Sequence, residues 1–214
     1  MNIDIAQMRK EYLQRALLEN EVDLDPIVQF QKWFADAVAA NLPEPEAMTL
    51  ATCTTAGKPS ARIVLLKGCD QQGFIFFTNY NSRKGHELSQ NAFAALVFWW
   101  VALERQIRIE GRVEEISAEE SDRYFRTRPR GSQLGAWVSQ QSQVAEGREI
   151  IEARLRELEK EFDNREVPRP PHWGGFRLIP EAIEFWQGRP NRLHDRLRYH
   201  KGENGEWTIK RLWP

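Results

Sequence analysis

The 214-residue sequence holds only two cysteines, Cys53 and Cys69, and they are not spaced as a CxxC pair. That excludes a disulfide scaffold and a thiolate zinc site, leaving two buried thiols in a reducing compartment as the expectation. An excess of charge of one sign is also missing. Lys and Arg number 30 against 31 Asp and Glu, a formal charge of -1. No global attraction to nucleic acid or to an anionic membrane follows, so any anion site has to be local. Long apolar runs are absent too: "FAALVFWWVAL", from Phe93 to Leu103, is the longest at 11 residues, against roughly 20 for a membrane-spanning helix. It reads as a core strand, and no membrane partner is expected. The opening "MNIDIAQMRKEY" mixes acidic and basic residues where a signal peptide needs an apolar stretch, so a cytoplasmic protein is expected. P-loop, GxGxxG, HExxH and EF-hand patterns do not occur, which removes support for nucleotide, Rossmann dinucleotide and common metal sites. No metal is expected, and His86, His172 and His200 read as structural or solvated.

What is present is ample material for a core: 41% hydrophobic and 11% aromatic residues, enough to fold without crosslinks at this length. Residues 3–19 read as an amphipathic helix. "DPIVQFQKWFADAVAANL" reads as another, with Asp25 as N-cap and Pro26 in the first helical position. "AMTLATCTT", "SARIVLLK", "FIFFTN", "AALVFWWV" and "RQIRIEGRVEEI" are β-branched or aromatic runs separated by turn signals such as "TAGKP" and "CDQQG", so five closely spaced strands are expected. Ser82 can cap a short helix opening with Arg83 and Lys84. Ser117 and Glu120 have capping-box spacing for a helix that Pro129 stops at Arg128. "EGREIIEARLRELEKEF" has helical periodicity, "VPRPPHWGG" is a loop, and three final strands, "FRLIPEAIEFW", "RLHDRLRYH" and "WTIKRLWP", close the chain. The expected fold is mainly β with flanking helices, a single domain over 1–214 with a helical segment to about residue 42 and C-terminal strands from about residue 174.

Short clusters pairing Arg or Lys with Ser, Thr, Gln or Tyr recur along the chain: Arg62 to Lys67, Thr78 to Lys84, Gln106, Tyr124 to Ser132, Gln141 with Ser142, and "FWQGRPNRLHDR" at 185–196. Guanidinium and ammonium groups completed by hydroxyls and amides are the chemistry of phosphate binding. Tyr124 and Arg128 share a helix face with Ser132 just beyond the Pro129 break, so three donors are expected near that helix end. Arg83 and Lys84 at a capped helix start make a second anion site, where free backbone N–H groups point outward. If the chain after Pro190 is a strand, Arg192, His194 and Arg196 share one face. Each cluster taken alone also fits an ordinary solvated surface. Two separate sites point to two phosphorylated ligands.

"RIVLLK", "FTN" followed by "SRK", "LERQ", "YFRTRPRGSQLGAWVSQQS", "FWQG" and "RLHDR", in this order, closely resemble the pyridoxamine 5'-phosphate oxidase family, and the resemblance runs from Arg9 to Pro214. It implies an FMN-binding split β-barrel and a homodimer holding two FMN molecules at its interface. The implied reaction is oxidation of pyridoxine 5'-phosphate or pyridoxamine 5'-phosphate to pyridoxal 5'-phosphate, with O2 as acceptor giving H2O2, and ammonia from the amine. By matching motif, Arg62, Lys67, Phe77, Thr78, Arg83, Lys84, Gln106, Gln141, Ser142, Trp186 and Arg196 resemble the FMN contacts. Lys67, Tyr124, Arg128 and Ser132 resemble the grip on the substrate phosphate, Arg192 and His194 the catalytic contacts to the pyridine ring, and Arg9 and Tyr12 a segment that covers the substrate.

Two positions depart from the family pattern. Phe77 stands where Tyr is frequent, and Glu44 where Asp is common. Two rival classes also fit part of the sequence. A non-catalytic flavin- or haem-binding split barrel is opposed by the joint presence of Lys67, Tyr124, Arg128, Ser132, Arg192 and His194. A nucleic-acid-binding barrel, with strands as a stacking platform, is opposed by the balanced charge.

Overall fold

Asp25 fixes where the first helix begins. Its carboxylate accepts from the backbone N–H of Ile27 at 2.8 Å and of Val28 at 3.4 Å, and Pro26 sits where a helix has no use for an N–H. In the computed structural model, which describes residues 16–214, helix α1 runs Pro26–Ala39. Ile27, Phe30, Trp33 and Ala37, three and four residues apart, form its buried stripe. The helix expected over 3–19 lies largely outside the described residues, and residues 16–19 are not helical.

Nine strands follow among the described residues: β1 (Ala47–Cys53), β2 (Pro59–Leu65), β3 (Gly68–Asp70), β4 (Gly73–Asn79), β5 (Phe93–Trp100), β6 (Arg105–Glu115), β7 (Trp173–Gln187), β8 (Asp195–Lys201) and β9 (Trp207–Arg211). They form one sheet in the order β2-β1-β5-β6-β7-β4-β3, with β8 on β7 and β9 on β8. Four further helices are α2 (Arg83–Gln90), α3 (Ala118–Thr127), α4 (Arg130–Val138) and α5 (Arg148–Glu161). The chain is therefore mainly β with flanking helices, as expected.

Contacts divide the chain into two compact units. Among the described residues, the first comprises 16–48, Leu96–Glu110 and Pro180–Pro214; the second comprises Thr49–Ala95 and Gly111–Ile179. In the first unit, Phe30 of α1 meets Phe98 at 5.2 Å and Trp33 meets Phe185 edge-on at 5.1 Å. The Tyr199 hydroxyl donates to the Asp23 carbonyl at 2.6 Å. In the second unit, Phe125, Leu134, Leu158, Val167 and Trp173 make a buried cluster that joins α3, α4 and α5 to the start of β7. Here β4 and β7 pair antiparallel, with Thr78 opposite Gly174.

Three expectations are corrected, and one helix stands where no element was expected. "CDQQG" is not only a turn, because Gly68–Asp70 pair with β4, Gly68 opposite Ile75; three residues are too few to show a period. "GSQLGAWV" forms α4 despite two glycines, since Leu134 and Ala136 are buried in the second unit's core and packing overrides propensity. Cys53 and Cys69 are half-buried rather than buried, and Asn91 Nδ2 donates to the Cys53 Sγ at 3.0 Å. The strand expected straight after Pro190 begins only at Asp195. Pro190–Arg192 form a 3-10 turn in which Asn191 and Arg192 have φ of 57° and 61°. Strand alternation therefore does not place Arg192 and His194 on one face with Arg196.

Candidate active site

The second unit carries a cleft of about 330 Å³. Strand β2 brings Arg62 to it, β4 brings Phe77 and Thr78, α2 brings Lys84, and the end of α3 brings Tyr124 and Arg128. Lys67, Trp173, Gln141 from the loop after α4 and the apolar β2 residues Ile63, Val64 and Leu65 complete its lining. Residues from five separate stretches of sequence thus meet in one place.

At one end lies the start of α2. Ser82 caps the helix, its Oγ accepting from the Gly85 N–H at 3.3 Å. The Lys84 ammonium, 9% exposed, donates to Gln141 Oε1 at 2.6 Å, Thr78 Oγ1 at 3.0 Å and Ser82 Oγ at 3.3 Å. All three are neutral acceptors, so the buried charge is hydrogen-bonded but unbalanced, which is the state an incoming anion relieves. Burial, reinforced by the nearby Arg62 charge, lowers the Lys84 pKa to about 8. Ser142, with φ of 74°, turns back so that its Oγ accepts from the Arg83 N–H at 3.1 Å. Gln141 and Ser142 therefore meet Arg83 and Lys84 within one chain.

The Arg62 and Arg83 side chains converge on Glu87, a buried carboxylate on α2. Arg83 Nε donates to Glu87 Oε1 at 2.8 Å, and Arg62 Nη2 lies 3.4 Å from Oε2. Burial pushes the Glu87 pKa up, but hydrogen bonds from Ser60, Thr52 and Arg83 outweigh it and hold the group at about 2.

At the other end, Phe77 stacks on Tyr124 at 3.9 Å and on Trp173 at 5.4 Å, so the residue without the frequent hydroxyl acts here through packing. The Arg128 guanidinium lies over Trp173 at 4.5 Å. Its Nη1 is buried and has no hydrogen-bond partner among the described residues. A buried, unmet donor on a charged group is costly, and an anionic oxygen in the cleft would satisfy it. Ser132 is not part of this convergence: it lies exposed on the first turn of α4 and does not line the cleft.

The remaining described candidates belong to the first unit. Trp186 sits opposite Arg196 across β7 and β8, and its ring lies 4.6 Å from His194. The Arg189 N–H donates to His194 Nδ1 at 3.1 Å, which puts the proton of the neutral ring on Nε2. Burial and the Arg192 charge both lower the His194 pKa. Arg192 is exposed on its turn. Arg196 pairs with Glu184 through Nε at 2.8 Å and Nη2 at 3.1 Å, and its Nη1 donates to the Trp213 carbonyl at 2.9 Å. Gln106 lies half-buried on β6. Arg9 and Tyr12 fall outside the described residues. No group of three or more His, Cys, Asp or Glu among the described residues is arranged to hold a metal.

Residues 34–161 match the family model described as pyridoxamine 5'-phosphate oxidase. The chain belongs to the pyridoxamine 5'-phosphate oxidase family. Residues 173–214 match a second model, the pyridoxine 5'-phosphate oxidase C-terminal dimerisation region. A pyridoxine/pyridoxamine 5'-phosphate oxidase of Nostoc punctiforme is 61% identical over 214 residues, covering 100% of both chains. One of Paraburkholderia phytofirmans is 56% identical, covering 98% of this chain and 99% of its own. Among solved structures, PhzG from Burkholderia lata 383 in complex with tetrahydrophenazine-1-carboxylic acid superposes with a TM-score of 0.88 at 33% identity, over 94% of this chain and 99% of that one. A pyridoxamine 5'-phosphate oxidase-related, FMN binding protein from Nostoc punctiforme shares the split-barrel fold, with a TM-score of 0.70 at 17% identity, over 90% of this chain and 100% of that one. The chain is thus a member of an oxidoreductase family. Two residues of the site escaped the sequence reading: Trp173, hidden in a Pro-rich loop signal, and Glu87, whose spacing four residues after Arg83 was the available clue.

Proposed function

We propose that this chain oxidises pyridoxine 5'-phosphate or pyridoxamine 5'-phosphate to pyridoxal 5'-phosphate as an FMN-dependent homodimer. On this reading O2 is the final acceptor, H2O2 is released, and the amine substrate also yields ammonia, with the whole chain acting as one functional domain. The observation that carries it is the unmet Nη1 of Arg128, buried beside Tyr124 in a cleft that also contains the Lys84 ammonium. Two cationic groups, each short of an anionic partner, fit two phosphorylated ligands.

Bound FMN would supply the two-electron acceptor. Lys84, Thr78, Gln141 and Ser142, together with Arg62 and Arg83, fit a flavin phosphate, because the ammonium is buried among neutral acceptors only. Phe77, Gln106, Trp186 and Arg196 are the remaining proposed flavin contacts, and Lys67 serves both ligands. Tyr124 and Arg128 are assigned the substrate phosphate, and Arg9 and Tyr12 the cover. Arg192 clamps the pyridine ring. His194, neutral at physiological pH because its pKa is lowered, donates from Nε2 to the ring's 3-oxygen.

Protein reconstituted with FMN and given pyridoxine 5'-phosphate is expected to produce aldehyde absorbance and peroxide together. Full FMN occupancy without either product would overturn the reading. Offering tetrahydrophenazine-1-carboxylic acid, the ligand of the PhzG complex, in a parallel assay tests the alternative that this neighbour suggests.

A further inference from the structure

Glu87 accepts more hydrogen bonds than any simple surface ion pair would give it. Thr52 Oγ1 and Ser60 Oγ each donate to its Oε2 at 2.5 Å. A hydroxyl has one proton, so with that proton committed each hydroxyl turns a lone pair outward, and both lone pairs receive Arg62: Nη1 reaches Thr52 at 2.5 Å and Nη2 reaches Ser60 at 2.5 Å. Arg62 Nη1 also donates to the Leu50 carbonyl at 3.2 Å. Four of the five guanidinium N–H groups are then held by β1, β2 and α2, which leaves Nε–H as the donor not committed among the described residues. On the opposite side, Oε1 holds Arg83. One carboxylate thereby fixes two guanidinium groups and, through α2, the helix turn that carries Lys84.

We propose that Glu87 is a positioning residue for the cofactor phosphate: it orients Arg62 and Arg83 and cancels one of three clustered cations, so that two positive charges face a dianion. The role rests on the FMN reading. The charge count is three cations, Arg62, Arg83 and Lys84, less one carboxylate, and a phosphate monoester carries roughly -1.5 to -2 at neutral pH. Glutamine is not an adequate substitute. Its amide has one acceptor atom, so either the two hydroxyls or Arg83 would face an NH2 donor.

The test compares apoprotein affinity for FMN and for riboflavin, which lacks the phosphate, by quenching of flavin fluorescence. A general loosening of the fold lowers both affinities alike, whereas a fault in phosphate positioning lowers their ratio. Wild type is expected to prefer FMN strongly. Glu87→Gln is expected to cut that preference about tenfold, the equivalent of one charge-assisted bond, with riboflavin affinity unchanged. Ser60→Ala, which keeps the carboxylate but removes one bridge, should cut it by a smaller factor. A Glu87→Gln protein with the wild-type ratio overturns the positioning role and leaves the FMN reading standing. A wild-type ratio near one overturns the FMN-phosphate reading and this role together. Should Glu87→Gln fail to fold, an unchanged ratio in Ser60→Ala overturns the role.

Discussion

Among the described residues of the cleft, Arg128 has an unmet buried donor and Lys84 has only neutral acceptors, and each yields a prediction. On the proposed function, Arg128→Ala removes a charge-assisted bond to the substrate phosphate, so KM for pyridoxine 5'-phosphate should rise roughly 10- to 150-fold. Flavin absorbance per protein should not change; steady-state kinetics beside an absorption spectrum checks both. For Lys84 the sign follows from burial. Its folded pKa of about 8 lies below the usual lysine value of 10.5. Between these two values the unfolded chain binds more protons than the folded one, so the stability of the apoprotein rises with pH across that window. Flavin phosphate binding should run the other way, because it needs the ammonium: FMN affinity is expected to fall as pH rises through about 8. A fluorescence titration from about pH 7 to about pH 10 measures this, and Lys84→Met should flatten the dependence. An affinity constant with pH in the wild type would remove Lys84 from the phosphate site.

Helix α2 is the element on which the cation cluster depends, and its seat is tight. A Cβ at Gly85 would stand 2.0 Å from the Tyr80 carbonyl oxygen, a backbone atom that cannot rotate aside. Gly85→Ala must therefore push α2 away from the turn after β4, at a cost of roughly 1–3 kcal/mol. Both Tm and FMN affinity should drop, since Arg83 and Lys84 move with the helix. Gly131 in α4 is the control. A Cβ there meets nothing within 4 Å, so Gly131→Ala should hold or raise Tm, by up to about 1 kcal/mol of helix propensity. Thermal unfolding of both variants decides. Elements with explicit start signals were legible in the sequence: Asp25 caps α1, Ser82 caps α2, and Ser117 accepts from the Glu120 N–H at 3.1 Å to cap α3. Arg128 leaves the helical region with ψ of 144°, as the following proline requires. β3 and α4 were not legible, because β3 exists only through its pairing with β4 and α4 only through the burial of Leu134 and Ala136.

At the scale of the whole molecule, the first unit leaves large apolar side chains in solvent. Leu193 is 68% and Trp213 91% exposed, and both fall within the stretch that matches the C-terminal dimerisation region. On the homodimer reading these side chains are covered by the second copy. Trp213→Glu is expected to shift the protein toward monomer in sedimentation equilibrium; a dimer unchanged in affinity would place the interface elsewhere. The sequence by itself determined what is encoded locally or by composition: the mainly β class, three helix starts, and the family, through motifs spread over nearly the whole chain. The turn at Pro190–Arg192, by contrast, reads as a strand start by pattern, and only the backbone, with φ of 57° and 61° at Asn191 and Arg192, shows the reversal. Tertiary structure alone decided that Gln141 and Ser142 return to α2, that Trp173 lies under Arg128, and that Glu87 gathers Thr52, Ser60 and Arg62. These contacts join residues 25 to 63 positions apart, such as Arg62 with Glu87 or Thr78 with Gln141. No local periodicity encodes such a pairing, because it is set by strand order and by which buried polar groups find partners when the sheet closes on its helices.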